Sequence, residues 1–472
     1  VIDMWKKEKW RGLISKACGL VIGALFMLQG NAVAVQAADY WPEGPEVASP
    51  NVIVMELNSG TILFERNSLE QHYPASITKI MTTLVVLENC DDLSEIVTFS
   101  DGSIDNTMGS GIARDYGEQM TMEQCLYAVM LESANECAYA VAEHVGGTVE
   151  NFVKMMNEKA AELGCQNTHF ANPHGLHDEN HYTCAYDMAL ISKAAYENET
   201  FRIITGTSRY TIPPTNKHDE PTPLQNHNEI LHPRRETKYV RDYCTGGKTG
   251  HTDAANSTLV TFAEKEGLTL VCVIMNTESP NHWTDTINLF EYCFDNFQLF
   301  NIVENETAYS SSEGKATDAL INNEPFVDID KTACIVLPKM AEFKDAVSEI
   351  TYEDESEQVA GTISYTYAGR EVGKADIVTT GVKIKGYVFD NQQEEEGGTE
   401  QLPEDKISTF RIKPVTVVIV VAVIIILLVI GFFVKKFADN YYIIKHNMEV
   451  RRDRRTQFKT IKKRRKRRKR HR

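Results

Sequence analysis

The sequence predicts a mixed α/β block over residues 51–300, a small all-β domain over residues 312–389 and one membrane-spanning helix over residues 415–434. Three observations carry this expectation. Short strand-like runs stand at both ends of the first region, with helical periodicity between them. That periodicity then fades, and short runs around Ala333, Val347, Gly361 and Ala375 alternate with turn residues. Residues 415–434 carry no charge and are rich in Val, Ile and Leu, long enough to cross a bilayer as a helix, which needs about 20 residues.

A chain of 472 residues with 42% hydrophobic content exceeds one ordinary domain and can build a sizeable core. Its first 37 residues read as a secretory signal. Lys6, Lys7, Lys9, Arg11 and Lys16 form a basic region, residues 17–28 an apolar run, and Val35-Gln36-Ala37 a small-residue cleavage site. That run is too short to span a bilayer. Residues 38–50 are a Pro-bearing lead-in.

In the α/β block, Val52-Ile53-Val54-Met55 and Thr61-Ile62-Leu63-Phe64 flank the turn Asn58-Ser59-Gly60, a hairpin signal. Pro74 opens a helix along which Ile77, Ile80, Met81, Leu84 and Val85 recur at helical spacing. Further helical patterns cover residues 122–145 and 152–163, the latter stopped by Gly164. Residues 257–263 and 268–275 read as strands. Beyond the β-rich region, residues 390–414 form an acidic linker that buries nothing.

The net charge of −17 conceals a split. Residues 435–472 hold 18 Lys and Arg against 3 Asp and Glu, a net of +15, while the rest of the chain carries −32. The positive-inside rule puts this basic tail in the cytoplasm and the acidic body outside, in agreement with a signal. The tail reads as a topology lock that contacts anionic lipid; nucleic acid is not an expected partner. The cysteines stand singly, with no spacing that suggests zinc, and no metal or organic cofactor is implied.

Three motifs carry the chemistry: Ser76-Ile77-Thr78-Lys79, Ser133-Ala134-Asn135 and Lys248-Thr249-Gly250. A lone S-x-x-K occurs by chance about once or twice in a chain this long, so the ordered trio is the signal. At i and i+3, Ser76 and Lys79 share a helix face. Serine needs a base beside it, and Lys79 can serve only when neutral; burial and a second cation, Lys248, both favour that form. Ser133 can relay a proton to a leaving amine, and Asn135 can hold a substrate amide. Lys248 and Thr249 on a strand edge can bind a terminal carboxylate. The backbone N–H groups of Ser76 and His251 can form an oxyanion hole.

The motifs S-x-x-K, S-D-N and K-T-G mark penicillin-binding proteins and class A β-lactamases. Over residues 52–297 the chain resembles the low-molecular-mass penicillin-binding proteins that act as serine-type D-Ala-D-Ala carboxypeptidases. The resemblance rests on Pro74-Ala75-Ser76-Ile77-Thr78-Lys79-Ile80-Met81, Ser133-Ala134-Asn135-Glu136-Cys137-Ala138, Phe170-Ala171-Asn172-Pro173-His174-Gly175-Leu176 and Gly247-Lys248-Thr249-Gly250-His251-Thr252. It implies a serine β-lactamase/transpeptidase-like fold with an antiparallel sheet and a helical subdomain. It also implies an acylated Ser76, peptidoglycan stem peptides as substrate and β-lactams as covalent inhibitors. The family's functional positions carry over to Ser76, Lys79, Ser133, Asn135, Lys248, Thr249 and Gly250. Family members often place an arginine shortly after the last strand. Here that stretch reads Asn281-His282-Trp283-Thr284-Asp285, so the substrate carboxylate is expected to rest on Thr249, Thr252 and Lys248.

A β-lactamase would need a loop carboxylate in an E-x-x-x-N setting, and none stands between Asn135 and Lys248. A non-catalytic wall or membrane scaffold is disfavoured by the intact trio. Endopeptidase action on D-Ala cross-links uses the same residues and stays open.

Overall fold

The computed structural model describes residues 40–306, 327–352 and 359–379. The expected signal over residues 1–37, linker over 390–414, membrane helix over 415–434 and tail over 435–472 lie outside the described residues. Among the described residues, no helix is long and apolar enough to cross a membrane.

A five-stranded antiparallel sheet organises the first region. Strands β1 (Asn51–Glu56) and β2 (Ile62–Arg66) are followed by the short pair β3 (Ile96–Thr98) and β4 (Gln119–Thr121), and by the hairpin β5 (Arg209–Ile212) and β6 (Thr222–Gln225). Then come β7 (Cys244–Thr252), β8 (Asn256–Lys265) and β9 (Leu268–Thr277), and the large sheet runs β2-β1-β9-β8-β7. β7 is therefore an edge strand, with part of its backbone free to face a ligand.

Helices cover both faces of this sheet. The helices of the described residues are α1 (Lys79–Asn89), α2 (Asp101–Asp105), α3 (Met122–Tyr127), α4 (Asn135–Gly146), α5 (Val149–Glu162), α6 (Ala185–Glu197), α7 (Glu199–Gly206), α8 (Asn281–Asn296) and the short α9 (Ile302–Asn305). Alternation along each strand divides the core. Ile53, Met55, Val271, Val273 and Met275 pack into a cluster with α1 and the helices after it. Val52, Val54, Leu270, Cys272 and Ile274 pack against Leu289, Phe290, Cys293 and Phe294 of α8. Covered on both faces, the centres of β1 and β9, residues 52–55 and 270–275, read as unbroken apolar runs. The lead-in is pinned to α8, since Ser49 donates its N–H and hydroxyl to Asp285 Oδ2 at 2.8 and 2.6 Å.

The β-rich region holds two sheets. β10 (Phe297–Asn301) leaves α8 and pairs antiparallel with β12 (Cys334–Pro338). β11 (Val327–Ile329), β13 (Val347–Tyr352), β14 (Val359–Tyr367) and β15 (Arg370–Thr379) form a sheet of order β11-β15-β14-β13. Ile335, Leu337, Ile363, Tyr365 and Val372 fill its core.

Two expected helices begin or continue differently. Ser76 lies in a 3₁₀ turn, Ala75–Thr78, ahead of α1. Positions i and i+3 nearly eclipse in such a turn, which brings Ser76 and Lys79 closer in direction than an α-helix would. The pattern over residues 122–145 is broken in the middle. A capping box between Thr121 and Gln124 starts α3. The chain then widens into a π-helix at Ala128–Glu132 and stops at Ser133, whose left-handed φ of 60° ends the segment before α4 begins. Apolar spacing alone does not register such a break. α6, α7 and α8 are also additions to the expected elements.

Candidate active site

The 3₁₀ turn, the break at Ser133 and the edge strand β7 converge on one cleft of about 470 Å³. Ser76, Ser133, Thr249, Gly250 and His251 line it. Lys79, Asn135 and Lys248 lie beside it at 0, 3 and 1% exposure.

Lys79 Nζ stands 3.1 Å from Ser76 Oγ, 2.7 Å from Asn135 Oδ1 and 2.5 Å from the His174 carbonyl oxygen. The latter two atoms can only accept. A neutral amine has two N–H bonds and one lone pair. Giving both N–H bonds to Asn135 and His174 leaves the lone pair for the Ser76 hydroxyl, the arrangement of a base beside a nucleophile. Burial pushes Lys79 well below the ordinary lysine value, and the Lys248 cation adds to this, against an opposing pull from Glu136. Asn135 is itself oriented, because its Nδ2 donates to the Met108 carbonyl at 2.6 Å.

Ser133 reaches the cleft because the left-handed residue turns its side chain out of the helix line. Its buried Oγ has no partner among the described residues, so a hydroxyl is held ready for a ligand atom. Backbone at positive φ in a non-glycine residue costs about 1–3 kcal/mol and gathers at functional sites. Ala75, next to Ser76, shares the feature at φ 51°.

β7 closes the opposite wall. Gly250 approaches the 3₁₀ turn so closely that a Cβ there would lie 2.8 Å from Ser76 N and 2.3 Å from Thr258 Oγ1. This brings the Ser76 amide and the strand around His251 to one end of the cleft. Thr258, opposite Gly250 in β8, donates to the Pro74 carbonyl at 2.9 Å and ties the sheet to the same turn. Burial brings Lys248 down to about 7, and its Nζ donates to the Thr249 carbonyl at 2.8 Å. Thr252 stands apart, its Oγ1 accepting the Ala255 N–H at 3.0 Å within the β7–β8 turn.

Other residues of the cleft escaped the motif reading. Arg234 and Arg235 line it from the segment between β6 and β7, with Glu229, His227 and, from α8, His282 and Trp283. Glu132, just before Ser133, accepts from Gln225 N and His227 Nε2 at 2.8 Å each and faces Arg234 at 4.0 Å. Burial pushes Glu132 up, but the bonds from His227 and Gln225 outweigh it and hold the carboxyl below its usual range. The two adjacent arginines, 13 and 14 positions before Lys248 in a strongly acidic body, were the available signal. His174 escaped because its contribution is a backbone carbonyl. The nine described cysteines are free thiols, and Cys137 behind the second motif is fully buried.

The fold and the cleft together define a serine transpeptidase-like enzyme. Residues 37–279 match the D-alanyl-D-alanine carboxypeptidase family, peptidase S11. The chain belongs to that family and is a serine-type carboxypeptidase. It is 29% identical over 311 residues to D-alanyl-D-alanine carboxypeptidase DacF of Bacillus subtilis, covering 64% of this chain and 76% of that protein. With DacB2 of Mycobacterium tuberculosis it shares 32% identity over 269 residues, 54% of this chain and 87% of that one. The crystal structure of the Streptomyces K15 DD-transpeptidase superposes with a TM-score of 0.50 at 28% identity, over 54% of this chain and all of that one.

Proposed function

We propose that this protein is an exported, membrane-anchored carboxypeptidase that removes the terminal D-Ala of peptidoglycan stem peptides through a Ser76 acyl-enzyme. The observation that carries the reading is the amine of Lys79, buried, flanked by two carbonyl acceptors and left with one direction toward Ser76 Oγ. Lys79 takes the hydroxyl proton as Ser76 Oγ attacks the carbonyl between the two D-Ala residues. The negative oxygen that develops is held by the N–H groups of Ser76 and His251. Ser133 passes a proton to the departing amine, and Asn135 holds the substrate amide. The C–N bond breaks, terminal D-Ala leaves, and water hydrolyses the ester on Ser76. Lys248 and Thr249 receive the substrate carboxylate, with Arg234 and Arg235 raising the positive potential at the mouth of the cleft. β-Lactams, which present a strained amide to the same serine, acylate Ser76 and remain.

D-Ala release from a pentapeptide, measured beside a cross-linked dimer, tests the reaction. Release from the pentapeptide alone supports the proposal, while cleavage confined to the dimer replaces it with an endopeptidase. Export rests on the pattern of residues 1–37, and anchoring on residues 415–434 with the basic tail behind them. Protease added outside intact cells should spare the tail; its digestion from that side reverses the orientation.

A further inference from the structure

We infer that His181 is a positioning residue for the nucleophile, coupling the loop behind the cleft to the turn that carries Ser76. The inference rests on the reading of Ser76 as the acylated residue. His181 is 2% exposed and outside the three motifs. Its Nδ1 accepts the Ala171 N–H at 3.0 Å, and its Nε2 lies 2.8 Å from Thr78 Oγ1. Thr78 in turn donates its single proton to the Ala75 carbonyl at 2.8 Å.

These bonds permit one assignment. Ala171 N–H can only donate, so Nδ1 bears a lone pair. The Thr78 proton is taken by Ala75, so Thr78 Oγ1 must accept, and Nε2 bears the hydrogen. A neutral imidazole in this one tautomer joins Ala171 to the Ala75 carbonyl through Thr78. Burial, the largest influence on the ring, brings His181 down to about 3, which keeps it neutral.

The far end of this chain of bonds is the strained residue before the nucleophile. Ala75 holds φ 51°, and the orientation of its carbonyl sets that of the Ser76 amide that follows. The same loop controls the base. Its Pro173 carbonyl accepts from Thr82 at 2.6 Å, and its His174 carbonyl accepts from Lys79. Gly175, at φ 84°, packs so tightly that a Cβ would stand 2.0 Å from the Ala75 oxygen. His181 is the side chain that makes this loop and the Ser76 turn one bonded unit. A histidine that merely filled space against Phe170 would contribute to folding and leave the acylation rate per folded molecule unchanged.

The test is the rate of acylation by a fluorescent penicillin, measured by stopped flow and expressed per titratable active site, with thermal melts alongside. Misplacing a reacting group by about 1 Å costs on the order of 10²-fold, so His181→Ala and Thr78→Val should each slow acylation about 10- to 100-fold, with the affinity of the initial non-covalent complex changed less than about threefold. His181→Gln can still accept at one end and donate at the other, and should recover most of the rate. The double variant His181→Ala/Thr78→Val should be no slower than the slower single one, because both break one connection. Rates within about twofold of the parent in both single variants, additive losses in the double variant, or no recovery by Gln would overturn the inference. If His181→Ala does not fold, Thr78→Val and His181→Gln decide it. Ser76→Ala is run in parallel, and label retained there overturns the reading of Ser76 instead.

Discussion

Gly250 and Ser76 stand so close that a single methyl group on the glycine would reach to 2.8 Å from the Ser76 amide nitrogen. The third residue of K-T-G is therefore a steric requirement set by a residue 174 positions earlier in the chain. Gly250→Ala should force β7 away from the 3₁₀ turn. The expected cost is about 1–3 kcal/mol of stability, read by denaturant melts. Acylation should fall on the order of 10²-fold, because the Ser76 amide and the strand around His251, which the proposed mechanism uses together, are spread apart.

Lys79 should act as a neutral amine. Its folded-state pKa is depressed, so protonation as pH falls removes the lone pair aimed at Ser76 and produces the acid limb of kcat/KM. Lys79→Arg keeps the charge permanently and cannot accept a proton. Its D-Ala release should fall about 10²- to 10⁴-fold, the range of general-base loss. A variant with near-parent turnover would remove Lys79 from the base role.

Lys248 sets a test of sign. Its pKa falls from 10.5 to about 7 on folding, so the unfolded chain binds the extra proton between those values, and stability rises with pH across that window. Below about 7 both states are charged and the penalty of burying the cation is complete. Lys248→Met should therefore melt higher than the parent at pH 6, by about 1–4 kcal/mol, with the gain shrinking toward pH 10. The same variant should lose activity toward peptides that end in a free carboxylate. The alkaline limb of the parent's kcat/KM should begin near 7, where Lys248 loses its charge.

Arg234→Ser with Arg235→Ser tests the mouth of the cleft. Both side chains line it, and Arg234 also faces Glu132. KM for a free-acid peptide should rise about 5- to 20-fold at low salt, the difference shrinking as salt is added, because partly exposed charges are screened. An equal rise for a peptide amide would show that the arginines do not read the carboxylate.

The strands were the readable part of the fold. The centres of β1 and β9, residues 52–55 and 270–275, are buried on both faces and apolar at every position, whereas β8 mixes buried Ser and Thr with its apolar residues. α8 is harder to read, since Asn281-His282-Trp283-Thr284-Asp285 opens it with weak helix formers and Trp283 alone marks its apolar face before Ile287. Motif spacing indicates that Ser76, Lys79, Ser133, Asn135 and Lys248 gather in one place. It does not reveal backbone contributions such as the His174 carbonyl, nor the π-helix that delivers Ser133. Arg234 and Arg235 depend on where the segment between β6 and β7 lands, which is a matter of packing. His181 is silent in sequence because a bridging imidazole leaves no spacing pattern.

Incubation of the protein with fluorescent penicillin, followed by mapping of the labelled peptide, decides whether Ser76 is the acylated residue. Stoichiometric label is expected on the peptide that contains Ser76, and none in Ser76→Ala. Label that survives that substitution, or a folded parent that takes up none, would contradict that assignment.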